Sequence, residues 1–305
     1  MLKSPPIANV QTVGDNCRND TEEYMETTKI NVALIVHSCD RYEFLFKGFE
    51  YFFSKHWDFD IPCNYYFATE EINTTFSGFK NIKSGKGEWS DRLAIILKEK
   101  IKEDYILYFQ EDMWLNKNVN LNFFKQLFNL TFENKWQQIK LHSSEVYNTK
   151  NTNLFIEGFN VAEINNSESD FLMSHQVTLW KKDFLIDQLF KNENPWRNEK
   201  RGTKRLKKLN PIILHVDYFA ENGKKEINNN GQRVGRSEYQ TISLNSILNE
   251  NITLYINKMM TGEIQQQNYA KELQYHYDNN LTHDGKPKPR KDDLFKKLTK
   301  WLRNK

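Results

Sequence analysis

The chain has 305 residues, with 43 Lys and Arg set against 40 Asp and Glu for a net charge of +3. Charges this evenly balanced give no reason to expect nucleic acid as a partner, because phosphate backbones call for concentrated positive charge. Three cysteines, Cys17, Cys39 and Cys63, are odd in number and form no CxxC pair. They argue against a disulfide framework or zinc cluster and favour a reducing, cytoplasmic compartment. The N-terminal stretch has no continuous apolar core of a secretory signal. Nowhere do about eighteen apolar residues run together, so no membrane-spanning helix is expected.

Residues 1–29 are polar, contain Pro5-Pro6 and show no periodicity, which predicts a flexible leader. Order begins with the β-branched run Lys29–Val36, a central strand, and a polar set follows, His37-Ser38-Cys39-Asp40-Arg41. Over Phe44–Lys55 the apolar residues recur at helical spacing. A second strand covers Asn64–Ala68 and ends on Thr69-Glu70-Glu71. The flexible turn Gly85-Lys86-Gly87-Glu88 leads into a helix from Ser90 to Lys102, and the run Tyr105–Leu115 is the third strand. Alternating strands and helices predict a parallel, right-handed α/β half.

The third strand meets two adjacent acids, Glu111 and Asp112, and carboxylates at the rim of an open sheet stand where such folds bind ligands. Because side chains alternate along a strand, Glu111 and Asp112 are expected on opposite faces, with Asp112 toward the ligand. Farther on, Leu121–Leu130 reads as a helix, Trp136–His142 and Asp170–Leu179 as strands, and Lys182–Phe190 as a helix. Pro195-Trp196 opens a charged loop over Arg197–Lys208, Pro211–Val216 is a further strand, and Asn222–Arg236 is a mobile Gly/Asn/Lys segment able to close as a lid. Residues 292–305 place Leu294, Phe295, Leu298, Trp301 and Leu302 at helical intervals among cations, an amphipathic helix suited to an anionic membrane surface or to docking on the domain.

The series VALIVHSCDR, NYYFATEE, WSDRL and YILYFQEDMWL resembles the nucleotide-binding half of a GT-A fold glycosyltransferase. FLMSHQVTLWKKDFLIDQL followed by ENPWRNEKRG resembles the acceptor half of bacterial enzymes that build capsular or other surface polysaccharides. The resemblance spans about residues 30–220. It implies a Rossmann-like mixed central sheet flanked by helices, in one catalytic domain over 30–260. Residues 30–120 would form the nucleotide half and 121–260 the acceptor half, with a C-terminal tail over 261–305.

The activity implied is transfer of a sugar from a nucleotide-sugar, a UDP-sugar first among them, to a hydroxyl of a glycan or lipid-linked acceptor. Mn²⁺ or Mg²⁺ is the usual cofactor, although the family's Asp-x-Asp appears here as Gln110-Glu111-Asp112, which leaves room for a basic side chain instead. Asp112 is the expected metal ligand, with His215 as a second. Asp40, Arg41, Glu70, Trp89, Asp91, Arg92 and Glu111 are expected to hold the donor. Glu199 is the expected catalytic base, with Glu193 competing, because an inverting transfer needs one carboxylate at the acceptor hydroxyl. Gln176 and Trp196 are expected to bind the acceptor. A non-catalytic carbohydrate-binding protein and a metal-dependent phosphoryl-transfer enzyme are the rival readings.

Overall fold

The computed structural model describes residues 30–227 and 234–288. The expected leader, the helix expected over 292–305 and Arg233 of the lid lie outside the described residues. Strand β1 (Val32–His37) is buried along its whole length. A single 3-10 turn leads into α1 (Glu43–His56), followed by β2 (Asn64–Thr69), β3 (Lys80–Lys83) and α2 (Trp89–Ile95), which runs on into a π turn. The apolar run after it divides into β4 (Tyr105–Phe109) and β5 (Met113–Lys117). Then come α3 (Leu121–Asn134), β6 (Gln138–His142), the hairpin β7 (Thr149–Ile156) and β8 (Phe159–Ile164), β9 (Thr178–Lys181) and α4 (Lys182–Gln188). The last part holds α5 (Pro195–Leu209), β10 (Leu214–Glu221), β11 (Ser237–Thr241), the short pair β12 (Ser243–Leu244) and β13 (Ile247–Leu248), α6 (Ile252–Met260) and α7 (Ile264–Asp278).

Eleven strands form one mixed sheet in the order β3-β2-β1-β4-β9-β6-β10-β11-β5, with β8 beside β10 and β7 beside β8, while β12 and β13 pair separately. β3, β2, β1 and β4 run parallel. β9 is reversed between β4 and β6, and β5 is reversed against β11. The α/β class with a mixed, helix-flanked sheet therefore matches the expectation. Alternation along β1 explains the two-sided core. Val32, Leu34 and Val36 join a cluster with Phe49 and Phe52 of α1, Phe123 and Leu127 of α3, Tyr255 of α6 and Leu273 of α7. Ala33 and Ile35 face the other side, with Leu93 of α2, Phe184 of α4 and Leu206 of α5.

Chain order reverses beside β1, since β2 pairs on one side of it and β4 on the other. In an open α/β sheet, the carboxyl ends of strands at such a reversal frame a crevice. One close approach lies behind the acid turn. A Cβ on Gly48 of α1 would sit 1.9 Å from Cη2 of Trp114 on β5, so a glycine is required there. Trp114 in turn donates its indole N–H to the Glu111 carbonyl at 3.1 Å.

Candidate active site

A cavity of about 360 Å³ opens at the carboxyl ends of β1 and β4. It gathers Arg41, Trp89, Arg92, Glu111, Asp112, Gln176, Trp196 and Glu199, side chains drawn from five separate stretches of chain. Glu111 and Asp112 lie in a turn between β4 and β5, where Met113 N–H bonds the Gln110 carbonyl at 3.2 Å. The strand has already ended at Phe109, so alternation does not separate the two acids, and both face the cavity. Loss of hydration pushes Asp112 up to about 7. Burial, reinforced by the neighbouring Asp112 charge, holds Glu111 well above the ordinary carboxylate range. Two adjacent carboxyls of this kind hold a proton near neutrality unless a cation displaces it.

Arg92 supplies fixed positive charge. It is buried on α2, donates Nη1–H to the Ser38 carbonyl at 3.0 Å, and sits 3.6 Å from Glu70 through Nε. Asp40 and Glu70 clasp one another behind it. The Glu70 carboxylate accepts the Asp40 N–H at 2.9 Å. The Asp40 carboxylate accepts the N–H groups of Glu70, Glu71 and Ile72 at 2.8, 2.9 and 3.2 Å. These two acids thus position Arg92 and do not line the cavity. Asp91 also lies outside it, taking the Asn192 N–H at 3.1 Å. Ser90 accepts the Glu193 N–H at 3.1 Å and donates to the Phe190 carbonyl at 2.6 Å. Together they staple α2 to the segment that precedes α5.

Glu199 stands in the first turns of α5, whose start is set by Asn194 accepting the Arg197 N–H and by Pro195 in the first turn. The expected loop over Arg197–Lys208 is therefore a helix. The Glu199 carboxylate accepts the His175 N–H at 3.1 Å. Burial raises it above the ordinary range, against the pull of that N–H and of Lys140. Lys140 is itself buried, donates to Ser174 Oγ at 2.8 Å, and is pushed down to about 7 by desolvation. Glu193 is committed elsewhere, bonded to Arg205 at 3.0 Å and Asn198 at 2.8 Å. Burial alone would raise Glu193, yet those donors hold it below its ordinary range. Gln176 precedes β9 and accepts the Tyr239 hydroxyl at 2.7 Å. Trp196 is 60% exposed at the rim.

His215 does not join Asp112. It lies on β10 outside the cavity, its Nε2 2.8 Å from the His142 carbonyl and its ring against Tyr147. Among the described residues no three His, Cys, Asp or Glu side chains converge on a metal position. A divalent cation bound through one or two carboxylates and substrate phosphates needs no third side chain, so the Glu111–Asp112 pair fits that role without His215. Two lid cations among the described residues also stand apart from the cavity: Lys224 pairs with Glu221 at 3.7 Å, and Arg236 with buried Asp217.

Sequence reasoning passed over His175 and gave His37 little weight. Both are buried cavity residues, each with an Nε2 lacking a hydrogen-bond partner. Burial keeps both imidazoles neutral, His175 down at about 3 and His37 well below its ordinary range. Trp89 packs between them, 4.1 Å from His175 and 5.6 Å from His37 by ring centroid. Neutral imidazole nitrogens without partners suit ligand hydroxyls. Cys39, also at the cavity, is pushed up to about 12 by burial.

No family model matches the chain, and no curated protein does. Among solved structures it is similar to the residue 1–349 portion of S. aureus TarS, at 11% identity and a TM-score of 0.43, over 82% of this chain and 71% of that one. A longer TarS structure gives 10% identity and 0.42, with 43% of that chain covered. TarS 1–349 in complex with UDP-GlcNAc gives 10% identity and 0.41, over 82% of this chain and 72% of that one. Likeness of this depth says nothing of chemistry.

Proposed function

We propose that the protein is a glycosyltransferase that moves a sugar from a nucleotide-sugar, a UDP-sugar first to be tested, to a hydroxyl of a glycan or lipid-linked acceptor. One observation carries the reading. A single cavity at the chain-order reversal holds an acid pair, a clamped guanidinium and a separate half-buried carboxylate raised above its ordinary range. Arg92 holds the donor diphosphate with charge-assisted hydrogen bonds and stabilises the departing nucleotide. Glu111 and Asp112 would hold Mn²⁺ or Mg²⁺, which when bound would neutralise charge on the diphosphate. Glu199 removes the acceptor hydroxyl proton as the oxygen attacks the anomeric carbon and the bond to the diphosphate breaks, a single displacement with inversion. His37 and His175 bond sugar or ribose hydroxyls, and Trp196 offers a flat face to the acceptor ring.

The test is a thermal-shift series with UDP, GDP and CDP, each with and without Mn²⁺. One nucleoside diphosphate is expected to raise the melting temperature of the wild type and to lose that effect in Asp112→Ala and Arg92→Met. A folded protein that responds to none of the three refutes the transferase reading.

A further inference from the structure

Helix α5 carries seven Lys and Arg against one acid, Glu199, a larger positive excess than the +3 of the whole chain. The positive charge is therefore concentrated. Asn198, Gly202 and Leu206 recur every fourth residue and face the protein. A Cβ on Gly202 would come within 2.7 Å of Met173 Cγ, so the helix is seated closely on that face. Arg197, Lys200, Arg201, Lys204 and Lys208 remain exposed at spacings of one, three and four. Among the described residues Arg201 reaches Glu193 at 3.6 Å, while Arg197, Lys200, Lys204 and Lys208 have no ion-pair partner. Like charges three and four residues apart destabilise a helix, and a bound polyanion removes that repulsion.

The row starts at the cavity, since Pro195, Trp196 and Glu199 line it. From Arg197 to Lys208 it extends roughly 16 Å along the helix axis. We infer that this face is the docking track for an anionic glycan chain, bearing carboxylate or phosphate groups, whose terminal sugar enters the cavity past Trp196. The inference rests on the transferase reading and names the acceptor's class. A helix that lies in a bilayer needs a free apolar side, and the inward face of α5 is already occupied. Nucleic acid is disfavoured because the row has one exposed aromatic, at its end, rather than aromatics interleaved for base stacking.

The test compares wild type with the combined variant Arg197→Gln, Lys200→Gln, Lys204→Gln and Lys208→Gln, none of which lines the cavity. Fluorescein-labelled oligogalacturonate, a maltodextrin of equal length and phosphatidylserine vesicles are the probes. Wild type is expected to bind the acidic oligomer roughly tenfold tighter than the neutral one at low salt, and to lose the preference at high salt. The variant is expected to lose the preference and keep its nucleotide thermal shift. A variant that keeps the preference overturns the assignment. So does a wild type that binds the vesicles and ignores the oligomer. Binding of the acidic oligomer without any nucleotide response refutes the transferase reading and leaves the polyanion surface standing.

Discussion

Asp112→Asn should make the protein more stable at alkaline pH while abolishing its response to metal and nucleotide. Asp112 is pushed up to about 7 from an ordinary 3.8. At about 1.4 kcal/mol per pH unit that difference is worth roughly 4 kcal/mol, and partial solvent contact reduces it to about 2 kcal/mol. The folded state holds this proton more tightly than the unfolded chain does. Its contribution is therefore complete below about pH 4 and is lost as pH rises through about 7. Asparagine keeps the shape and the acceptor oxygen but has no proton to lose. Melting curves in chelator-treated buffer should coincide near pH 4, and at pH 8 the variant should melt about 3 °C higher. Addition of Mn²⁺ with the active nucleotide should raise the wild type and leave the variant unmoved. A variant that melts no higher than wild type at pH 8 would refute the account of a carboxylate strained by burial.

Glu199→Gln should lower the transfer rate by about two orders of magnitude or more, the usual share of a general base, with nucleotide binding unchanged in calorimetry. The wild-type rate should rise with pH as the raised carboxyl loses its proton, and the variant should lack that limb. Gly48→Ala should destabilise by about 1–3 kcal/mol, the cost of overpacking, because Trp114 must yield to the new methyl group. Trp114 holds the Glu111 carbonyl, so the same change should weaken the Mn²⁺-dependent thermal shift. Equal shifts in both proteins would break that link.

The first half was readable because its signals are strong: β1 and β4 are unbroken apolar runs, and α1 repeats its phenylalanines at helical spacing. Later elements carry weaker signals. α5 has so few apolar residues that it reads as a solvated loop, although Asn194-Pro195 is a legitimate helix start. β11 is the polar string SEYQT, four of its five residues buried through pairing with β10 and β5, and no hydrophobic pattern announces it. For the site, Arg92 of α2, the acids Glu111 and Asp112 after β4, Gln176 before β9, and Trp196 and Glu199 of α5 are all named from the sequence and share the cavity. Asp40, Glu70 and Asp91 are expected from the sequence to hold the donor and do not line the cavity, because spacing does not tell a ligand-facing acid from one bonded to backbone N–H groups. His215 was plausible by type, and its hydrogen bond to a distant carbonyl is a tertiary fact.

The acid turn is also tied to the far end of the chain. The Asp112 carbonyl accepts the Ile242 N–H at 3.0 Å, and β5 pairs with β11 at the sheet edge. Residues 30–120 are consequently not a portable module. Grafted onto another protein, or severed from their C-terminal partner by a protease, they would keep every donor-side acid yet present the pair on an untethered turn.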